Sequence, residues 1–127
     1  MIPSLESLTT ATLSKAMEAA SLRQQAIAAN VANVNSAGYA PLRLAFESRL
    51  AEARNSLHER GSVEPRDLEA LRPALEPDVD DAGAPAPLQL DLQMADMARN
   101  AVHYQALAQG LSRHFALLSA AAGDGRK

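Results

Sequence analysis

The sequence contains no cysteine, and this absence removes several chemistries at once. Disulfide bonds, thiolate nucleophiles and thiolate zinc ligands are excluded. The chain also has no serine in a nucleophile elbow and no glycine-rich loop that could cradle a phosphate. Its carboxylates do not occur as pairs in an apolar setting, where the pKa of one of them would be raised. We therefore expect no catalytic residues, no cofactor and no enzymatic activity.

Aromatic residues are scarce, at 3% of the 127 residues, and tryptophan is absent. Aromatic side chains usually supply the largest buried areas of a globular core. Because alanine and leucine carry most of the apolar fraction, we expect thin contacts between helices and no thick core. The length suits one domain that spans residues 1–127.

Long apolar runs and a strong charge of one sign are also missing. No segment approaches the roughly 20 apolar residues of a membrane span. No basic segment precedes an apolar stretch at the N-terminus, so a cleaved signal peptide is not expected. The formal net charge of -3 disfavours nucleic acid and anionic lipid as partners. No small-molecule substrate is indicated.

Two heptad seams at opposite ends of the chain predict an all-α fold. The first seam alternates spacings of four and three residues and consists of Leu13, Met17, Ala20, Gln24, Ile27, Val31 and Val34. The second keeps the same alternation through Leu90, Met94, Met97, Ala101, Tyr104, Ala108, Leu111, Phe115, Leu118 and Ala122. We predict long helices over about 10–35 and 91–122, packed against each other as a coiled coil.

The ends of the second helix and the one polar residue of the first seam raise separate questions. Asp91 is a plausible N-cap of the second helix, and Gly123 is its predicted stop.

Gln24 has two readings. A buried polar residue in a seam can fix register or partner number. Alternatively, the helix turns Gln24 to water.

The middle of the chain separates the two long helices. A short helix is predicted over about 42–60, because apolar residues keep helical spacing there and Gly61 can end it. Five prolines follow between residues 65 and 87, so this part cannot be a continuous helix. We predict an irregular, proline-rich loop over 62–89. No strand-like alternation is found.

Metal ligation by histidine is not indicated. His103 and His114 are eleven residues apart on the second predicted helix, whereas shared ligation favours spacings such as i and i+4. His58 precedes Glu59 as in a zincin motif, but no second histidine follows at the required spacing. We interpret all three histidines as solvated or intersubunit residues.

The acidic stretch over 78–89 resembles a calcium loop only in part. Asp78, Asp80 and Gly83 stand at the first, third and sixth positions of such a loop. Ala82 and Gln89, however, occupy positions that require an oxygen ligand and a bidentate glutamate. A solvated acidic loop is the better interpretation, and no metal site is predicted.

Three asparagines crowd the end of the first helix, although asparagine is a poor helix former. Asn33 and Asn35, with Gly38, can end the helix in a fixed turn, since asparagine tolerates left-handed backbone and bonds to nearby backbone groups. This turn would direct Tyr39 sideways. Asn30 lies on a face where its amide could bond to a neighbouring chain. Alternatively, the asparagines only cap the helix of their own chain.

The stretch SLRQQAIAANVANVNSAGYA, residues 21–40, resembles the N-terminal signature of the bacterial flagellar axial proteins, the rod, hook and hook-associated family. The stretch LDLQMADMARNAVHYQALAQGLSRHFALL, residues 90–118, resembles the proximal rod proteins of the FlgB type. The resemblance covers roughly 13–50 and 88–120. Ala29, Ala37 and the Ala40–Pro41 pair depart from the usual motif, and the last departure deletes the positive charge of a basic pair.

This resemblance implies a structural subunit of the flagellar basal-body proximal rod, which assembles helically, transmits torque and encloses the export channel. Implied partners are the chain itself, other rod proteins, the membrane ring with its junction protein, and the flagellar type III export apparatus. Another rod protein of the family and a helical export chaperone or adaptor are the alternatives. The residues expected to carry packing or assembly are Leu13, Met17, Gln24, Ile27, Asn30, Val31, Asn33, Val34, Asn35, Gly38, Tyr39, Met94, Met97, Tyr104, Leu111, Phe115 and Leu118.

Overall fold

A computed structural model of the chain describes residues 2–46, 55, 58, 59, 61 and 71–125, with side chains from residue 6 onward. The elements in these ranges are helix α1 (Ile2–Ala32), strand β1 (Leu42–Leu44), strand β2 (Leu75–Pro77) and helix α2 (Leu90–Asp124). The prediction of a mostly helical chain with two long terminal helices is confirmed.

The two helices run antiparallel. Side-chain hydrogen bonds link Asn30 to Gln93 and Gln24 to Asn100. The residue number decreases along α1 from one contact to the next while it increases along α2. Further along, a Cβ added at Gly110 would lie 4.0 Å from Leu13 Cδ2. This distance is an ordinary van der Waals contact, so α2 lies beside α1 at this point.

Both predicted helix ends need correction. Helix α1 begins before residue 10 and ends at Ala32, three residues before the predicted end. Helix α2 starts at Leu90, so Asp91 lies inside its first turn, and Gln89 precedes it without a side-chain cap. The predicted stop at Gly123 is passed, because alanines before it favour helix and a single internal glycine costs only about 1 kcal/mol.

Small side chains form most of the core among the described residues. Its buried apolar members are Ala19, Ala20, Ala26, Ile27 and Leu71. Alanine lets backbones approach closely but buries little area. The expectation of thin contacts between elements agrees with this composition.

A two-stranded antiparallel pair replaces parts of the predicted short helix and loop. Strand β1 pairs with β2 in the register Leu42↔Pro77, Arg43↔Glu76 and Leu44↔Leu75. The prediction of a helix from residue 42 is therefore wrong at its start, and the predicted absence of strands is wrong as well. Pro41 limits the backbone before β1, and Pro77 stands at a strand end, where a missing N–H is tolerated.

Much of the predicted short helix lies outside the described residues, as does the loop segment 62–70. Asn55, His58 and Glu59 are described and are helical. The rest of the predicted loop is more regular than expected. Within it, Val79 pairs with Pro85 in an isolated bridge.

The acidic stretch forms a tight turn at the end of this bridge. The Asp80 carboxylate accepts the backbone N–H groups of Ala82 and Ala84, at 2.9 and 2.8 Å. Gly83 has φ +81°, a left-handed conformation that favours glycine. Asp80 is thus engaged by its own backbone. We call residues 78–86 the acidic hairpin.

Candidate assembly site

Asn30 connects three elements through four hydrogen bonds, and only 3% of it is exposed. Its Oδ1 accepts from the Leu42 N–H at 2.8 Å and from the Tyr39 hydroxyl at 2.9 Å. Its Nδ2 donates to the Leu42 carbonyl at 3.0 Å and to Gln93 Oε1 at 3.2 Å. The amide therefore pairs with Leu42 as a neighbouring strand would. The suggestion that Asn30 bonds to a neighbouring chain is wrong in this structure, because every polar site of its amide is used within the chain.

The turn after α1 depends on Asn33 and Gly38. Asn33 Nδ2 donates to the Ala29 carbonyl at 2.8 Å, which satisfies an oxygen near the helix end. The Ser36 N–H then donates to the Asn33 carbonyl at 2.9 Å. Gly38 has φ +73°, and its left-handed conformation brings Tyr39 back toward Asn30. Asn35 is exposed and has no hydrogen bond among the described residues.

A second buried asparagine lies where α2 meets the middle of α1. Asn100 is 5% exposed, and its Nδ2 donates to the Ala20 carbonyl at 2.8 Å and to Gln24 Oε1 at 2.9 Å. Of the two readings of Gln24, contact with another helix is the one that the structure shows. Sequence reasoning missed Asn100, because the predicted apolar stripe runs through its neighbour Ala101.

The Oδ1 atom of Asn100 is buried and has no hydrogen-bond partner among the described residues. A buried acceptor without a donor costs about 1–3 kcal/mol. Native structures contain few such atoms, so each one calls for a physical reason.

Large apolar side chains of α2 are exposed on more than one side: Leu92, Val102 and Leu117 are scattered over the side away from α1, and four others lie along one flank. This apolar flank consists of Leu90, Met94, Tyr104 and Phe115, which are between 40% and 50% exposed. The buried or half-buried side of α2 contains Gln93, Asp96, Met97, Asn100, Leu107, Ala108, Leu111, His114 and Leu118. Since successive helical residues are turned by about 100°, the flank lies beside the α1 contact.

The predicted second seam is thus divided between two surfaces. Met97, Leu111 and Leu118 lie on the side toward α1, whereas the apolar flank does not. A groove of about 310 Å³ lies between α1 and this part of α2, and its walls include Gln24, Ala101 and Tyr104. Part of the stripe therefore packs toward α1 and part is exposed, and coiled-coil packing along the whole of both helices stays a prediction.

The remaining predicted packing residues lie on or just after α1. Ile27 is buried, and the half-buried members are Leu13, Met17, Val31 and Val34. Val34 lies beyond the end of the helix, in the turn. These positions place the first seam partly against α2 and partly at the surface.

A cleft of about 570 Å³ lies between α1, α2 and the base of the strand pair. Its walls include Arg23, Arg43, Arg99 and His103, together with Asn100. Arg43 is paired with Glu76 at 2.8 Å, and Arg99 with Asp96 at 2.9 Å. Asp78 and Asp96 line the same cleft together with apolar side chains such as Leu42 and Leu44, so its lining combines charges of both signs with apolar area.

The described residues show no arrangement of three or more His, Asp or Glu side chains that could hold a metal ion. Neither described helix has a stretch both long and apolar enough to cross a bilayer.

The fold and this surface define a class: an antiparallel helix pair with a thin core and an exposed apolar flank, which is typical of proteins that bury more area on association. Residues 11–39, which include most of α1 and the asparagine turn, match the family model described as flagella basal body rod protein. The recognition of this motif from the sequence is confirmed. The match supports a flagellar rod protein, a structural role and a place in the flagellar basal body.

The matched family is structural and not enzymatic. A search of curated proteins gave no significant match, and a search of solved structures gave none either.

Proposed function

We propose that the chain is a structural subunit of the proximal rod of the flagellar basal body, of the FlgB type. It assembles helically with itself and with other rod proteins, transmits torque and encloses the export channel. Its further partners are the membrane ring with its junction protein and the type III export apparatus, which exports it without signal cleavage. The match over 11–39 supports the rod family, and the pattern over 90–118 favours the proximal type.

The exposed apolar flank carries this proposal. Four large apolar side chains, Leu90, Met94, Tyr104 and Phe115, follow one side of a helix of 35 residues and remain 40% to 50% exposed. Isolated apolar residues at a surface are ordinary, but an aligned set marks an interaction site. Burying such a set against a neighbouring subunit is favourable because it removes apolar area from water.

The strand pair gives the subunit an asymmetric surface. It packs on α1 near Asn30, so one side of the helix pair is covered there while the groove at Tyr104 stays open. Contacts between unlike surfaces are heterologous, and they generate open helical arrays when the rotation between copies does not close a ring. In a rod, the apolar flank of one copy would meet a different surface of the next copy.

A matched pair of substitutions on α2 tests the proposal. Met94→Asp places a charge on the apolar flank, whereas Val102→Asp places the same charge at a residue that is 67% exposed and turned away from both α1 and the flank. In cells that depend on this chain for motility, we expect Met94→Asp to abolish swimming and Val102→Asp to preserve it. Circular dichroism of both purified variants controls for folding.

Normal motility of a folded Met94→Asp variant would contradict assembly through the flank. A helical export chaperone or adaptor, the alternative from another class, would instead form a discrete dimer that is stable alone and absent from the finished basal body.

A further inference from the structure

Among the described residues, one arginine of the cleft at the base of the strand pair has no carboxylate partner. Arg43 and Arg99 each have a carboxylate partner, at 2.8 and 2.9 Å. Arg23 lines the same cleft, is half-buried, and has no ion pair or hydrogen bond among the described residues. A partly desolvated cation attracts an anionic group more strongly than a fully solvated one does.

The same cleft is lined by Asn100, whose buried Oδ1 has no donor among the described residues. This oxygen has almost no accessible surface, so it is not part of the surface that an occupant of the cleft would contact. What the cleft offers an occupant is the charge of Arg23, which fits a polypeptide segment that carries a carboxylate.

The acidic hairpin of the chain supplies such a segment. Asp78 and Asp80 are engaged, the first with Arg43 at 3.7 Å and the second with backbone N–H groups. Asp81 lies at the tip of the turn, is exposed, and has no partner among the described residues. The chain thus displays one unpaired anion at the hairpin tip and, among the cleft residues that the structure describes, one unpaired arginine.

We infer that the tip of the acidic hairpin of one copy docks in the cleft of a second copy, with Asp81 paired to Arg23. This inference rests on the proposed function, because it assigns one contact of the assembly. Asp78 lines the cleft, while Asp81 lies beyond the Val79↔Pro85 bridge. Base and tip are different surfaces, so the contact is heterologous and repeats from copy to copy.

A charge exchange tests the pairing. Light scattering over a concentration series measures the concentration at which the full chain assembles. Asp81→Arg and Arg23→Glu should each raise this concentration by about tenfold or more, as expected when like charges face each other across an interface. Asp124→Arg and Arg113→Glu change the net charge equally at exposed sites of α2 and should leave it within about twofold.

Assembly of the single variants should be restored in two ways. The double variant Asp81→Arg, Arg23→Glu should assemble at nearly the wild-type concentration. An equimolar mixture of the two single variants should do so too, since each tip then meets a cleft of opposite charge. If Arg23→Glu fails to fold by circular dichroism, Arg23→Gln replaces it in the single-variant test.

Two results would overturn the inference. One is that both single variants assemble at the wild-type concentration while Met94→Asp still blocks assembly. This result would leave the proposed rod function standing. The other is impaired assembly that neither the double variant nor the mixture restores, as expected if the cleft takes an acidic segment of a different protein. Failure of the wild-type chain to assemble at all would instead contradict the proposed function as well.

Discussion

At the scale of single residues, asparagine at position 30 has a role that few other side chains could fill. Its amide donates to and accepts from Leu42, in the way that one peptide group pairs with another. The amide also accepts a hydrogen bond from the Tyr39 hydroxyl and donates one to Gln93. Aspartate lacks the two N–H donors, and leucine lacks all polar groups. One side chain thus fixes β1 and α2 to the end of α1.

Asn30→Ala should destabilise the chain by about 3 kcal/mol, because it leaves buried partners without hydrogen bonds. Asn35→Ala, its matched control in the same turn, should change the free energy of unfolding by less than about 0.5 kcal/mol. Urea unfolding followed by circular dichroism measures both. Equal effects of the two substitutions would contradict the role assigned to Asn30.

Asn100 and Gln24 should behave as a coupled pair. Gln24→Leu alone removes the acceptor of an Asn100 N–H group and should cost about 1–3 kcal/mol. Adding Asn100→Leu should recover most of this loss, since it also removes the unpaired Oδ1. A double-mutant cycle of unfolding free energies measures the coupling. Strictly additive losses would show that the two residues are independent.

At the scale of elements, two glycines of the helix pair differ in what their backbone requires. Gly110 lies within α2, where Leu13 Cδ2, at 4.0 Å, is the one described atom within reach of an added Cβ outside the backbone of the helix itself. Gly38 lies in the turn after α1 with φ +73°. The first glycine is tolerated by the helix, whereas the second is required by the backbone conformation.

Alanine should therefore have opposite effects at these two glycines. Gly110→Ala should raise the free energy of unfolding by about 0.5–1 kcal/mol, since a Cβ fits at 4.0 Å from Leu13 and favours helix. Gly38→Ala should lower it by about 1 kcal/mol, because alanine is strained at positive φ. Thermal or urea melting checks both signs. A stabilising Gly38→Ala would contradict the turn described.

Periodicity predicted the two long helices, because a regular apolar pattern at helical spacing over many turns matches few structures besides a helix. It did not predict which part of the stripe meets α1. Met94 and Met97 are equally apolar, and the choice between them depends on Asn100 and Gln93, whose hydrogen bonds orient α2. The strands were missed because Leu42–Leu44 and Leu75–Pro77 are each only three residues long, too short for an alternating pattern to stand out.

The candidate site was predicted only in part. The family motif pointed to Asn30, Asn33 and Gly38. The bonds of Asn30 to Leu42 and Gln93 depend on tertiary structure, over separations of 12 and 63 residues, and no local pattern encodes them. Asn100 gave no signal in the sequence, because it follows Arg99 and is one of several polar residues beside the predicted apolar stripe.

At the scale of the whole molecule, a thin core and an exposed flank lead to the same expectation. Alanine contacts bury little area within one chain, and stability is a small difference between large terms. Neighbouring subunits that cover the apolar flank would add the missing burial. An isolated subunit should then be only marginally ordered, and order should increase with association.

The measurement that tests this account most directly is sedimentation velocity of the full chain over a concentration series, with circular dichroism of the same samples. The account predicts growth beyond a dimer and a helical signal that rises as the chain associates. A single, highly helical species whose size does not change with concentration would contradict it, and a discrete stable dimer would favour an adaptor instead.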